Sequence, residues 1–292
     1  MRGLFHFIML SFIFLSACEQ DLRTDILIQE KLCLNCILNP DSTVKASLSL
    51  SQSISEEQTF TKINNARVEL VTNGQTVTLR NSGDGLYSLG SKPAAGAVYE
   101  IRANVQGYPL LKATTKVSLK PDASVILTNP VVNENIEIYS YTANVTINDL
   151  LGINRYWFYD VYYLLIPQVK SVTFRTGYAN IDSPLMDDFN KVTDATEPLG
   201  YRYEYYLRIK DTNNDGQQLA FNIGFWDTWK NEDYDMYHIM DVDEHYDKYL
   251  KSVIKQKMNE NNVLFSEPVQ IYTNIENGLG IFGSAAITSF KL

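Results

Sequence analysis

Four side chains that could bind a metal ion lie within eight residues of each other: His238, Asp241, Asp243 and His245. Imidazole and carboxylate groups are ligands for divalent metals such as zinc and manganese. Their spacing does not match a helical metal motif such as H-E-x-x-H, whereas capping of a following helix accounts for most of them. We therefore favour capping over a metal site, and we predict no cofactor.

Two other patterns resemble binding loops but fail a physical requirement. Residues 278–283 fit the dinucleotide fingerprint G-x-G-x-x-G, which must open a helix inside a βαβ unit, yet only nine residues follow it. Residues 211–216 carry the oxygen ligands of the first half of a calcium loop, but Asn222 stands where a glutamate is required. We interpret the first as a turn between short strands and the second as a hairpin loop.

The cysteines favour neither a redox pair nor a metal site. Cys33 and Cys36 form a C-x-x-C pair, a pattern that serves as a redox pair or as half of a metal site. The chain has no second pair to complete a metal site. The flanks are apolar and typical of a strand, on which residues three apart point to opposite faces and do not favour a disulfide. We predict two buried, inert thiols.

Nucleophilic catalysis has little support in the sequence. The chain lacks the G-x-S-x-G pattern that places a serine nucleophile on a sharp turn. Only His238 and His245 remain once the N-terminal segment described below is removed, so a histidine-dependent triad would have to use one of them. We predict no catalytic residue and a protein that is not an enzyme.

Aromatic residues are the remaining chemical signal, with 19 tyrosines and 3 tryptophans in the chain. Core packing accounts for most of them, because strands favour aromatic side chains. Tyr and Trp are also effective interface anchors. We predict a binding surface in the loop that enters the C-terminal helix, formed by Trp226, Trp229, Tyr234 and Tyr237.

The N-terminus carries the features of a bacterial lipoprotein signal. Arg2 precedes an apolar run of about a dozen residues, which is shorter than the roughly 20 that a spanning helix needs. The run ends in Leu-Ser-Ala-Cys, and the chain becomes polar directly after Cys18. We predict a signal peptide over residues 1–17, lipidation of Cys18, and a tether over residues 18–29.

Composition excludes several classes of protein. The chain is 45% hydrophobic and 20% charged, which is typical of a globular protein. Its formal charge is −9, and removal of the signal peptide leaves 24 basic and 34 acidic residues, a charge of −10. An acidic surface repels phosphate backbones, so we expect no nucleic-acid partner.

The fold class follows from short alternating strands. Residues 44–50 alternate between apolar and polar side chains, and the dipeptide Asn73-Gly74 separates two further runs as in a type I′ hairpin. About seven such strands predict an immunoglobulin-like or transthyretin-like β-sandwich over residues 30–122. Pro121 and Pro130 mark a linker, and residues 130–292 predict a second β-rich domain. The protein is therefore expected to be mainly β.

One long helix is expected over residues 242–260. Its apolar side chains recur at helical spacing, with Asp241 placed to cap the first turn and Glu244 in capping-box position. Acidic residues near its start and lysines near its end suit the helix dipole.

Several stretches together resemble a known family. They are the lipoprotein signal, Ile37-Leu-Asn-Pro-Asp-Ser-Thr-Val44, Asn65-Ala-Arg-Val-Glu-Leu70, Asp84-Gly-Leu-Tyr87, and the C-terminal Asn-Ile-Glu-Asn-Gly-Leu-Gly-Ile-Phe-Gly. In this order they resemble the Bacteroidetes lipoproteins grouped as domain of unknown function 4249. The spacing of the middle segment is also similar to the transthyretin-like carboxypeptidase regulatory sandwich.

The resemblance implies a location and a partner but no catalytic residue. Members of the family are thought to accompany TonB-dependent outer-membrane transporters, which implies an outer-membrane lipoprotein facing the periplasm or, as we favour, the cell surface. Three functions remain open at this point. They are a non-enzymatic ligand-binding or transporter-accessory protein, a hydrolase using the acidic segment with or without a metal, and a structural or adhesive envelope protein.

Overall fold

The computed structural model describes residues 30–52, 60–128, 131–133, 138–166, 169–175, 177–210, 216–227, 234–260 and 269–291. The predicted signal peptide, the tether and Cys18 lie outside these described residues. Most of the described chain is in β-strands, which are arranged in four sheets, so the fold is mainly β as the sequence predicts. No helix in the described ranges combines the length and the apolar character needed to cross a membrane.

The first half of the chain is a β-sandwich of eight strands. One sheet has the order β1-β2-β6-β5 and the other β4-β3-β7-β8. Side chains of β1 and β2 alternate between buried and less buried positions, and the buried set packs against β3, β7 and β8 to form the core. The strands are β1 (Leu32–Leu38), β2 (Val44–Leu50), β3 (Arg67–Thr72), β4 (Gln75–Thr78), β5 (Arg80–Gly83), β6 (Leu86–Leu89), β7 (Val98–Asn104) and β8 (Leu111–Lys116).

The predicted hairpin at Asn73-Gly74 is confirmed. Thr72 pairs with Gln75, which leaves a two-residue turn between β3 and β4. Both turn residues have positive φ, 48° at Asn73 and 74° at Gly74, as a type I′ turn requires.

The second half has a core of its own between two groups of strands. One sheet contains β9, β10, β11 and β18, and the other buried residues of this core come from β12, β14, β16, β17 and β19 and from the loop before β15. The strands are β9 (Asp122–Leu127), β10 (Val131–Asn133), β11 (Ile138–Asn148), β12 (Tyr156–Ile166), β13 (Val169–Phe174), β14 (Gly177–Tyr178), β15 (Lys191–Thr193), β16 (Tyr201–Glu204), β17 (Leu207–Ile209), β18 (Gln218–Asp227) and β19 (Tyr234–Val242).

The last strand, β20 (Leu279–Lys291), connects the two halves. Its first part pairs in parallel with β1, and its second part pairs antiparallel with β19. A nine-stranded sheet therefore runs through both halves, although β20 belongs by sequence to the second predicted domain. Residues 278–283 do not form a turn between short strands, because β20 begins at Leu279 and continues for 13 residues.

The long helix, α1 (Glu244–Glu260), is present where the sequence predicts it but begins two residues later. Val242 is the last residue of β19. The predicted cap at Asp241 is wrong, since the Asp243 carboxylate accepts the backbone N–H groups of His245 and Tyr246. Asp243 is the first residue beyond the strand, and it is placed to receive the free N–H groups of the first turn.

The apolar face of α1 packs on the sheet where β12, β19 and β20 are adjacent. Leu250 and Ile254 are buried against Trp157, Met240 and Ala285. Burial of each aliphatic side chain of this size contributes about 1.5–3 kcal/mol. The helix is thus fixed to the same sheet that connects the two halves.

Candidate functional site

A cleft of about 490 Å³ lies where the two halves meet, and we call it the waist cleft. Three segments line it: residues 114–119 at and after the end of β8, the loop 150–155, and residues 241–245 at the junction of β19 and α1. Its volume is within the range of small-molecule binding sites, roughly 300–1,000 Å³.

The rim of the waist cleft is apolar and exposed. Leu151 and Ile153 are 85% and 81% exposed, and Val98, Leu119 and Leu150 are also exposed. Single exposed apolar residues are ordinary, but a group around one concavity is typical of an interaction site.

Asp149 positions the loop that carries this rim. Its carboxylate is buried and accepts the backbone N–H of Gly216 at 2.9 Å and the side-chain amide of Asn154 at 3.1 Å. Gly152 has a φ of 114°, which lets the chain reverse between Leu151 and Ile153. The loop is therefore anchored at its base while its apolar side chains face the solvent.

Asp243 forms part of the floor of the waist cleft. Both of its carboxylate oxygens accept hydrogen bonds from neighbouring parts of the fold. Besides the two helix N–H groups, it accepts the Thr115 hydroxyl at 2.7 Å and the backbone N–H of Ser284 at 2.8 Å. The side chain of Ser284 continues the network, donating to the carbonyl of Leu38 at 3.0 Å. Asp243 thus holds helix, sheet and first half together and keeps no free oxygen for a metal.

Asp241 is the second carboxylate of the floor and has a different environment. It is 8% exposed, and its Oδ1 accepts the backbone N–H of Arg155 at 3.1 Å. Burial raises the pKa of this carboxyl from 3.8 to about 7, against the lowering effect of backbone N–H donors and of the Arg155 guanidinium. Near neutral pH the group is therefore a mixture of acid and carboxylate.

The two histidines do not join these carboxylates. The Nδ1 of His245 lies 2.8 Å from the hydroxyl of Tyr272. His238 lies further along β19, stacked on Tyr159 with ring centroids 4.6 Å apart, and its Nδ1 is 2.8 Å from the Ser289 hydroxyl. Burial lowers the pKa of His238, which favours its neutral form.

The four predicted metal candidates therefore do not form one site. Asp241, Asp243 and His245 line the waist cleft, whereas His238 does not. Among the residues that the structure describes, no group of three or more His, Cys, Asp and Glu side chains is arranged to hold a metal ion. Residues 211–215 of the predicted hairpin loop, the segment that resembles half of a calcium loop, lie outside the described residues.

The predicted aromatic surface is not a loop entering the helix. Trp226 belongs to β18, and Tyr234 and Tyr237 belong to β19, which leads directly into α1. Tyr237 is fully buried in the core of the second half and cannot contact a partner. Trp229 and the side chains of Trp226 and Tyr234 lie outside what the structure describes.

Cys33 and Cys36 point to opposite faces of β1, as predicted, and both are free thiols. Cys36 is buried, and burial raises its pKa to about 12. Cys33 is only half-buried, which corrects the prediction of two buried thiols, and it lines a second cavity of about 590 Å³ beside β2. Burial also raises the pKa of Cys33, so the thiol form prevails at neutral pH.

Sequence reasoning missed the rim residues Leu151 and Ile153. The sequence predicts a turn over residues 149–152, because Asp149 and Gly152 are typical turn residues. The available signal was that Leu150 and Leu151 put two large aliphatic side chains into that turn, with Ile153 directly after it. A turn with no polar side chain at its tip is unusual unless another molecule covers it.

The fold and the waist cleft define a mainly β protein with a small-molecule-sized cleft between its two halves. The chain belongs to the family described as "Domain of unknown function (DUF4249)", whose model matches residues 19–291. Among curated proteins, none matches the chain. One solved structure, described as "a putative carbohydrate binding protein from Bacteroides uniformis", shares 11% identity, with 89% of this chain and 98% of that chain covered and a TM-score of 0.16. A TM-score that low supports no inference about this chain.

Proposed function

We propose that this protein is a non-enzymatic lipoprotein that binds a ligand in the waist cleft. In this proposal the lipidated Cys18 anchors it to the outer membrane, on the cell-surface side, and it serves as an accessory to a TonB-dependent β-barrel transporter. Multiple acyl chains on one cysteine would give stable anchoring, since one short chain binds only reversibly.

The observation that carries the proposal is the pairing of an exposed apolar rim with a buried polar floor. Leu151 and Ile153 expose most of their surface at the mouth, while Asp241 is buried within the cleft. A ligand that covered the rim would remove apolar surface from water. This burial contributes roughly 25 cal/mol of favourable binding free energy per Å². The floor would supply the polar contacts that give specificity.

Binding accounts for the described side chains better than the two alternatives. A hydrolase is favoured by the pKa of Asp241, which suits general acid–base catalysis. However, the imidazoles of His238 and His245 contact hydroxyl groups, and neither ring is hydrogen-bonded to a carboxylate within the described residues. A purely structural or adhesive protein would need no cleft of this volume.

Purification of the tagged full chain from its native host in mild detergent tests the proposal. Mass spectrometry of the intact protein should show a bound small molecule, and analysis of the co-purifying proteins should show a β-barrel transporter in stoichiometric amount. A protein that carries no small molecule would contradict ligand binding. A ligand-bound protein without a transporter would contradict only the accessory role.

A further inference from the structure

Asp241 is a buried carboxylate of the waist cleft that forms no ion pair among the described residues, although the nearby Arg155 guanidinium favours its ionised form. Glu244 is paired with Lys248, and Asp243 accepts four hydrogen bonds from its surroundings. The Arg155 guanidinium lies 3.9 Å from Glu244, and Asp241 forms no ion pair within the part of the chain that the structure describes. A buried carboxylate is costly unless a positive charge accompanies it.

The charged groups that surround Asp241 balance one another, so ionisation of Asp241 leaves the cleft with a net negative charge. Asp149 and Arg155 flank it on the loop side, Asp243 and Glu244 on the helix side, and Lys116 on the β8 side. His245 and Tyr156 complete the titratable groups nearby. With Asp241 ionised, four carboxylates face three cationic side chains, because Lys248 pairs with Glu244. The remaining negative charge makes a positively charged ligand suit the cleft better than a negative one.

The aliphatic side chains at the mouth of the cleft favour an apolar body in the rest of the ligand. Leu119, Leu150 and Ile153 offer aliphatic surface at the mouth of the cleft. A ligand with a charged head and an apolar body would place its head on the floor and its body against these side chains. An inorganic cation would leave the rim uncovered.

We propose that the waist cleft binds an amphipathic organic amine, whose ammonium group pairs with the Asp241 carboxylate and whose apolar body covers the rim. This inference rests on the proposed function and names the class of ligand. In the fraction of molecules in which Asp241 is protonated, binding releases that proton to the buffer, because only the carboxylate attracts the ammonium. Binding of an amine should therefore strengthen as the pH rises through 7.

Calorimetry of the full chain in detergent, with cyclohexylamine as the probe, tests this inference. The amine stays protonated at pH 6 and at pH 8, whereas the ionised fraction of Asp241 rises from about one tenth to about nine tenths. We expect binding about tenfold tighter at pH 8 than at pH 6. Cyclohexanol, which has the same ring but no charge, should bind more weakly at pH 8 and show no such dependence.

Two variants separate the role of Asp241 from that of the rim. Asp241→Asn should weaken binding at pH 8 and remove the tenfold ratio, while Asp182→Asn, at an exposed site outside the cleft, should change neither. Ile153→Ser should weaken binding at both pH values and keep the ratio. This second variant leaves the Asp241 carboxyl in place, so the test holds even if Asp241→Asn does not fold.

Three results would overturn the inference. They are a pH ratio near one, a tighter complex at pH 6, and cyclohexanol binding as tightly as the amine at pH 8. The first two would refute pairing of the ammonium group with an Asp241 carboxyl that titrates near 7, and the third would refute an amine as the ligand class. The proposed function fails only if the protein from its native host carries no small molecule. The two failures are therefore distinguishable.

Discussion

The hydroxyl of Thr115 donates a hydrogen bond to Oδ2 of Asp243 at 2.7 Å, across 128 residues of sequence. Thr115 lies near the C-terminal end of β8, in the first half of the chain. Asp243 caps α1 in the second half. The same carboxylate accepts the backbone N–H of Ser284 in β20. One side chain thus connects both halves, the helix and the strand that joins them, directly beside the waist cleft.

Replacement of Asp243 should destabilise the whole fold. Asp243→Ala removes the helix cap and leaves the buried donors of Thr115 and Ser284 without an acceptor, so we expect a loss of about 2–4 kcal/mol. Thr115→Val removes a single hydrogen bond and should cost about 1 kcal/mol. Urea denaturation measures both, with Asp41→Ala, at an exposed site, as the control. Equal losses in the two variants would contradict the central role of Asp243.

Gly280 should tolerate no side chain. Its φ is +105°, and a Cβ atom there would collide with the carbonyl oxygen of Leu34 on the paired strand β1. We expect Gly280→Ala to lower the free energy of unfolding by more than about 2 kcal/mol. Gly90→Ala is the matched control, because nothing lies within 4 Å of a Cβ at that site. If the two alanine variants unfold at the same urea concentration, the close pairing of β1 and β20 is wrong.

The stability of the protein should depend on pH through Asp241. The pKa of this carboxyl is about 7 in the folded protein and roughly 3.9 in the unfolded chain, so the folded state holds a proton that the unfolded state has lost. The protonated carboxyl therefore contributes to the free energy of unfolding at low pH. This contribution is lost as the pH rises from about 4 to about 7. The total change is up to about 4 kcal/mol, at about 1.4 kcal/mol per pKa unit.

Asp241→Asn should lack this dependence. Urea denaturation at several pH values between 4.5 and 7.5 should show the variant gaining stability relative to the natural protein as the pH increases. Parallel curves for the two proteins would show that Asp241 titrates near its ordinary value.

Asp247 of α1 should also be essential for stability. It is buried, and its carboxylate accepts the Trp157 indole N–H at 3.0 Å and a two-pronged contact from the Arg208 guanidinium at 2.7 and 3.2 Å. Asp247→Ala leaves the partly buried Arg208 paired with Asp187 and removes the acceptor of the buried Trp157 indole N–H, and we expect a loss of about 2–4 kcal/mol. Lys248→Ala, one residue on, breaks an exposed pair and should cost less than about 1 kcal/mol. A small effect of Asp247→Ala in thermal or urea unfolding would contradict this network.

Local sequence patterns predicted most strands and the helix, but the linker predicted between Pro121 and Pro130 is wrong, because residues 122–127 form β9 and pair with β11. The alternation in β2 and the turn at Asn73-Gly74 involve neighbours in sequence, whose geometry depends little on the rest of the fold. The helical spacing likewise located α1, although the cap moved from Asp241 to Asp243 because β19 continues to Val242. Pattern alone cannot say where a strand stops and its cap begins.

Contacts between segments far apart in the chain could not be predicted from the sequence. The parallel pairing of β1 with β20 joins segments about 245 residues apart, and no local signal specifies such a register. Tyr237 looked like an interface anchor, but its position in β19 turns it into the core. The rim of the waist cleft depends on Asp149 anchoring the loop through Gly216, a contact that spacing along the chain cannot reveal.

The claim that a small molecule binds in the waist cleft is tested most directly by comparing two matched variants. Each is purified from the native host and analysed intact by mass spectrometry. Ile153→Ser alters the rim, and Ile126→Ser makes the same change at a 63% exposed site on β9, outside the cleft. We predict that the small molecule bound to the natural protein is lost or strongly depleted in Ile153→Ser and retained in Ile126→Ser. Equal occupancy in the two variants would contradict binding at the waist cleft.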